Sequence, residues 1–121
     1  MRKEFGNYGE QKAAEYLLKQ GYGVLRRNFR TRYGEIDIIA EHNGALVFCE
    51  VKSRHTARYG TGAEAVDIRK QRKISRAAAE YLQENGLMDC AVRFDVIAIL
   101  ARNGETHIDH IINAFDFIDG E

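Results

Sequence analysis

Proline is absent from this 121-residue chain, and so are low-complexity tracts, internal repeats and linkers. These absences exclude a string of modules and leave one domain, residues 1–121, large enough to bury a core without disulfide or metal staples. No apolar run approaches the length of a membrane span, and the opening Met1-Arg2-Lys3-Glu4-Phe5 has no signal-peptide core. Only two cysteines occur, Cys49 and Cys90, in or beside apolar strand patterns and without metal-ligand spacing. Free thiols in a cytoplasmic protein with no membrane contact are the expectation. Net charge is missing too: eighteen Lys and Arg balance eighteen Asp and Glu. By itself that balance argues against a generic nucleic-acid binder.

The distribution of charge says otherwise. From Lys52 to Arg76 there are eight Lys and Arg (52, 54, 58, 69, 70, 72, 73 and 76) against two acids, Glu64 and Asp67. Arg26, Arg27, Arg30 and Arg32 form a smaller basic group upstream. Such a stripe on a neutral protein suits phosphate contacts, with an ordinary solvated helix face as the competing reading.

Two strand-like runs, Glu35–Glu41 and Ala45–Ser53, flank His42-Asn43-Gly44-Ala45. Asn-Gly is the strongest short signal for a two-residue type I′ hairpin turn. Pairing His42 with Ala45 then sets Ile39 opposite Phe48, Asp37 opposite Glu50 and Glu35 opposite Lys52, all on one sheet face. The other face carries Ile36, Ile38, Ala40, Val47, Cys49 and Val51 and is apolar throughout. Opposed like charges destabilise a sheet by roughly 0.2–1 kcal/mol when exposed. A divalent cation held by hard oxygen ligands would offset the Asp37–Glu50 repulsion. Lys52 lies two residues along, where it could balance charge or assist a nucleophilic water. A surface salt-bridge ladder of Lys52 and Arg54 with the acids is the alternative, and a three-residue loop would slip the register by one.

Elsewhere the periodicity predicts a helix over Asn7–Gln20 ended by Gly21, with a stripe of Glu10, Ala13, Ala14, Leu17 and Leu18. Glu10 thus points toward the apolar side. Either it closes a capping box on Asn7, or it overhangs the sheet as a third acid beside Asp37 and Glu50. A strand follows over Tyr22–Phe29, then the hairpin, then a basic loop over Arg54–Gly62. A second helix is expected from about Glu64 to Asn85, with Ile74, Ala77, Ala78, Tyr81 and Leu82 inward and Gln71 continuing that stripe. Strands over Ala91–Ala101 and Thr106–Ile112 complete the order α-β-β-β-α-β-β, an α/β sandwich around a mixed five-stranded sheet.

An Asp on one strand, Glu-x-Lys on the next and a Glu on a preceding helix resemble the PD-(D/E)xK nuclease superfamily. Over nearly its whole length the chain resembles the small bacterial YraN-like family, itself similar to archaeal Holliday-junction resolvases. The resemblance rests on Gly9-Glu10 with Ala13, on Gly34-Glu35-Ile36-Asp37-Ile38-Ile39-Ala40, and on Phe48-Cys49-Glu50-Val51-Lys52-Ser53-Arg54. It continues through Gln71-Arg72-Lys73 and Arg93-Phe94-Asp95-Val96. It departs from the superfamily pattern at Ile36, where a proline is usual, and at Ser75, where a tyrosine often follows the helix glutamine.

What the resemblance implies is a restriction-endonuclease-like fold and a divalent-metal nuclease site. Asp37, Glu50 and Glu10 would hold Mg²⁺ or Mn²⁺ directly or through water, with the Val51 carbonyl as a further ligand. Lys52 would orient or help deprotonate the attacking water and stabilise charge on the phosphate. Gln71 would support the site, and Arg54, Arg58, Arg69, Lys70, Arg72, Lys73 and Arg76 would contact the nucleic acid, expected to be structured or branched DNA. Symmetric junction cutting would need a homodimer; the last strand and Phe115–Ile118 offer an interface, with core packing as their competing role. A non-catalytic nucleic-acid-binding module on the same fold is the alternative function.

Overall fold

The computed structural model describes residues 2–54 and 66–118. Its elements are α1 (Arg2–Lys19), β1 (Gly23–Arg30), β2 (Glu35–His42), β3 (Ala45–Arg54), α2 (Ile68–Glu84), β4 (Ala91–Arg102) and β5 (Glu105–Phe115). The element order is the expected one. Arg58, most of the expected basic loop and the expected helix start at Glu64 lie outside the described residues. The five strands form one sheet in the order β1-β2-β3-β4-β5. Only β3 and β4 are parallel, and α2 lies in the connection between them. Each face of the sheet is covered by one helix. Ala13, Ala14 and Leu17 of α1 pack with Ile38, Val47, Cys49 and Ile97 on one side. Ile74, Ala77, Ala78 and Leu82 of α2 pack with Ile39, Phe48, Phe94 and Phe115 on the other. No helix among the described residues is long and apolar enough to cross a membrane.

Helix ends follow local chemistry. Gly21 takes a left-handed φ of +91° and Tyr22 N–H donates back to the Leu17 carbonyl at 2.9 Å, closing α1. Asp67 caps α2, its carboxylate accepting from Lys70 N–H at 2.9 Å. The start of α1 differs from expectation. The helix already runs at Arg2, so Asn7 is an interior residue and not an N-cap. The capping-box account of Glu10 therefore falls. Leu18 also departs from the expected stripe and is 59% exposed.

The hairpin has the expected register, from His42–Ala45 through Ile39–Phe48 to Ile38–Cys49. Asn43 and Gly44 both have positive φ, +50° and +82°, as a type I′ turn requires. Beyond Cys49 the ladder stops, one pair before Asp37 and Glu50. There the face assignment changes as well. Ile38 packs under α1 as alternation demands, but Ile36 packs under α2. Its partner strand shows why: Asn28 of β1 is left-handed (φ +56°), so Arg27 and Phe29, two apart, turn to opposite faces. Arg27 pairs with Ile38 and Phe29 with Ile36, and both strands cross over together. Asp37 occupies the crossing point. The expectation that Ile36 shares a face with Ile38 is thus corrected by a backbone reversal on the neighbouring strand.

At the other end, Phe115 is buried and stacks on Phe94 at 5.1 Å, which gives it the core role. Ile112 and Phe117 remain exposed.

Candidate functional site

Asp37 reaches across the end of the β2–β3 ladder and accepts a hydrogen bond from Val51 N–H at 2.8 Å. Its carboxylate takes the place of a backbone acceptor, so the two strands part around it. Glu50 is 6% exposed and lies on the α2 face, as its alternation with Phe48 dictates. Two lysines approach the same oxygen of Glu50: Lys52 Nζ at 3.6 Å and Lys70 Nζ, from the first turn of α2, at 3.4 Å. Among the described residues Asp37 receives no such cation. Burial, then the nearby Glu50, raise its pKa from the ordinary 3.8 to about 7, against the opposing Val51 hydrogen bond; Glu10 and Glu35 add to the rise.

Glu10 comes from the other face. Gly9 lets α1 press against β3, because a Cβ there would collide with Ser53 Oγ. The close approach brings Glu10 beneath the end of the sheet. One of its oxygens is buried without a hydrogen-bond partner among the described residues and lies 3.8 Å from Arg27 Nη2. Arg27 in turn donates to Gln11 at 3.1 Å. Glu10 and Glu50 thus flank Asp37 from opposite faces. Among the described residues no three carboxylate, imidazole or thiol groups converge into a ready-made metal cage. Mg²⁺ does not require such a cage, since it keeps several waters and takes one or two carboxylates plus substrate phosphate. An all-oxygen donor set, an Asp37 carboxyl raised by burial and its neighbouring acids, and a buried Glu10 oxygen without a hydrogen-bond partner among the described residues fit such a cation.

The remaining sequence-derived residues divide into three groups. Gln71 is buried and donates to the Val66 carbonyl at 2.8 Å, pinning the approach to α2. Lys70 turns inward to Glu50, while Arg54 lies at the end of β3 and donates to the Ser53 carbonyl at 3.3 Å. Of the alternative ladder of Lys52 and Arg54 with the acids, Lys52 does contact Glu50, joined there by Lys70 and not by Arg54. Arg69, Arg72, Lys73 and Arg76 project from α2 into a groove of about 330 Å³ completed by Arg32 and Tyr33.

Sequence reasoning missed two features. One is the Lys70–Glu50 contact, which joins residues twenty positions apart through the packing of α2 and left no local signal. The other is Asp95 on the α1 face, fully buried in β4. Arg93 clamps it with two bonds of 2.9 Å, His110 Nε2 lies at 2.7 Å and Asn113 N–H donates at 3.0 Å. Arg93 also donates to Tyr22 Oη, and His110 Nδ1 meets Tyr16 Oη at 3.0 Å. Burial pushes the Asp95 pKa up, but the His110, Arg93 and Asn113 bonds prevail and hold it below the usual carboxylate value. The available signal was an acid within the apolar run Val92-Arg93-Phe94-Asp95-Val96-Ile97.

A family model described as "Uncharacterised protein family UPF0102" matches residues 9–99, from α1 through most of β4. A UPF0102 protein of Trichlorobacter lovleyi is 51% identical over 113 residues, covering 92% of this chain and 89% of the relative. One from Syntrophomonas wolfei is 46% identical over 115 residues, covering 95% of this chain and 100% of the relative. One from Persephonella marina is 50% identical over 111 residues, covering 92% of each. The chain belongs to the UPF0102 family, the YraN-like family that the sequence resembles.

Proposed function

We propose that this protein is a divalent-metal-dependent nuclease that hydrolyses phosphodiester bonds in structured or branched DNA. The observation that carries the reading is the buried Asp37–Glu50 pair beside Lys52, with Asp37 raised to about 7. Resemblance to the PD-(D/E)xK superfamily, and through it to junction resolvases, supports the same reading. Asp37 and Glu50 would hold Mg²⁺ or Mn²⁺, Glu10 would reach it through water, and the Val51 carbonyl would face it. When bound, the cation supplies Lewis-acid polarisation of the phosphate and lowers the pKa of water.

This chain's own residues do the rest. Val51 N–H fixes Asp37, so one carboxylate oxygen is committed and the group cannot swing away. Lys52, 3.6 Å from Glu50, would orient the attacking water and stabilise charge building on the phosphate. Lys70 holds Glu50 against the start of α2 and sets its direction. Hydrolysis forms one bond between water oxygen and phosphorus and breaks one P–O bond, the departing sugar oxygen receiving a proton.

The test is a cleavage panel of linear, flapped, single-stranded and four-way DNA, and RNA, with Mg²⁺ or Mn²⁺. Cleavage of at least one substrate is expected, falling at least about a hundredfold in Asp37→Ala and in Lys52→Ala. No cleavage anywhere, or cleavage indifferent to both substitutions, overturns the proposal.

A second reading, a non-catalytic nucleic-acid-binding module, is favoured by one observation: Lys52 and Lys70 already neutralise Glu50 without a cation. It predicts salt-sensitive binding with no metal dependence.

A further inference from the structure

The groove between α2 and the β1–β2 turn is built differently from a plain basic face. Thr31 N–H donates to the Gly34 carbonyl at 2.8 Å, and Thr31 Oγ1 accepts from Tyr33 N–H at 3.0 Å and Gly34 N–H at 3.2 Å. The same hydroxyl donates to the Gly34 carbonyl at 3.2 Å. This knot of bonds holds the turn in one shape. Gly34 then lies against α2 so closely that a Cβ there would meet Lys73 Cβ at 3.0 Å. Tyr33 is therefore presented at a fixed place on the helix. Two guanidinium groups approach its ring, Arg32 at 5.1 Å and Arg76 at 5.3 Å from the centroid. Arg32 Nη2 also donates to Tyr33 Oη at 3.0 Å.

Position gives this aromatic its meaning. Lys70, Lys73 and Arg76 recur every three residues along α2, a stripe of about 9 Å at 1.5 Å per residue. The stripe begins at Glu50, which Lys70 contacts, and ends at Tyr33. At a stacked rise of about 3.4 Å per nucleotide it accommodates roughly two or three. Just past Tyr33 the adjoining hollow is lined by Glu80 and Glu84, which repel a polyanion. The basic path thus starts at the acid pair and stops at an aromatic ring.

We propose that Tyr33 is a stacking platform for an unpaired nucleobase, with Arg69, Arg72 and Lys73 holding the phosphates between it and the acid pair. A base in a duplex is stacked on its neighbours and offers no free face to a ring; an unpaired base does, and stacking on tyrosine is tolerant of base identity. The incoming base replaces one guanidinium on the ring, and that arginine turns to the adjoining phosphate. The substrate of the proposed site would accordingly carry single-stranded nucleotides next to the cut. The inference rests on the nucleic-acid reading above and adds the strand state that the site selects.

The experiment is fluorescence anisotropy with a labelled single-stranded 20-nucleotide DNA, the same sequence as RNA, and the blunt DNA duplex. It is run on the full chain in EDTA, so it reads binding without cleavage. Tyr33→Ala is expected to weaken single-strand binding about tenfold while changing duplex binding less than about twofold. Tyr33→Phe keeps the ring and restores single-strand binding; Arg76→Gln weakens both forms. Circular dichroism checks that each variant is folded, and Tyr33→Leu, which keeps apolar bulk without the ring, takes the place of the Ala variant if that one is not. Stronger binding of RNA than DNA, or the reverse, identifies the natural polymer and leaves the platform standing.

Equal losses for single strand and duplex in Tyr33→Ala, no loss at all, or a wild type that binds neither polymer overturns the platform. Repeating the measurement in Asp37→Ala separates the two proposals. A Tyr33 effect without any cleavage in the substrate panel removes the nuclease and keeps the platform. Metal-dependent cleavage with no Tyr33 effect does the opposite.

Discussion

Asp95 and Asp37 are both carboxylates built into the central sheet, and their surroundings could hardly differ more. Asp95 is fully buried and answered on every side: two bonds from Arg93, one from His110 and one from Asn113 N–H. Its pKa falls below the ordinary value. Asp37 receives one backbone N–H, stands beside Glu50, and is raised to about 7. A satisfied buried acid orders the fold around it. An acid with no cation beside it among the described residues, next to another acid and with a raised pKa, is the one suited to the proposed cation. The contrast sets a structural carboxylate apart from the one proposed to hold a cation, without reference to any relative.

Removing each acid should therefore change stability in opposite directions. Asp95→Ala strands Arg93 and His110 beneath α1 and is expected to destabilise the protein by about 3–5 kcal/mol in urea unfolding. A loss below about 1 kcal/mol would break the comparison. Asp37→Asn relieves the repulsion with Glu50 and should stabilise the metal-free protein at pH 7 by on the order of 1–3 kcal/mol. The same substitution abolishes the proposed cleavage, so stability and activity move apart.

The pH dependence has opposite signs as well. Asp37 in the folded state keeps a proton that the unfolded chain releases above 3.8, so its contribution to stability falls as pH rises from about 4 to about 7. Asp95 is depressed, so its contribution is present above 3.8 and is lost as pH drops through its folded value. Metal-free unfolding followed from pH 3 to pH 8 should show the upper slope in the wild type and a flattened one in Asp37→Asn. An unchanged slope in that variant contradicts the assignment.

Much of the site's half of this contrast was legible in the chain. Asn43-Gly44 specified the turn, and strict alternation carried the register to Ile38–Cys49, which leaves Asp37 and Glu50 next to each other. The Ile36 reversal was not legible, because its cause is the left-handed Asn28 on a different strand. Glu10 was placed on the inward side, but its capping alternative survived until the helix proved to extend back to Arg2. Local signals mark a possible cap; they do not show whether the preceding residues continue the helix. Asp95 was visible only as an odd acid in an apolar strand, since His110 and Asn113 come from β5 and a bulge in the β4–β5 pairing. Residues brought together across strands and helices, such as Lys70 with Glu50, carry no periodicity to read.

The smallest stability effects are expected on the groove. Arg72→Gln and Lys73→Gln should each change unfolding free energy by less than about 0.5 kcal/mol, because both side chains are exposed. Each should lower the salt dependence of nucleic-acid binding by about one unit of log–log slope. A large stability loss with an unchanged slope would make these residues structural and sharpen the line around Asp37 instead.

The central claim is that Asp37 and Glu50 form a cation site and Asp95 does not. Calorimetric titration of the full chain with Mn²⁺ at pH 7 tests it most directly. Saturable heat in the wild type and none in Asp37→Asn is the expected result. No heat in the wild type, or the same heat in both, would contradict the claim.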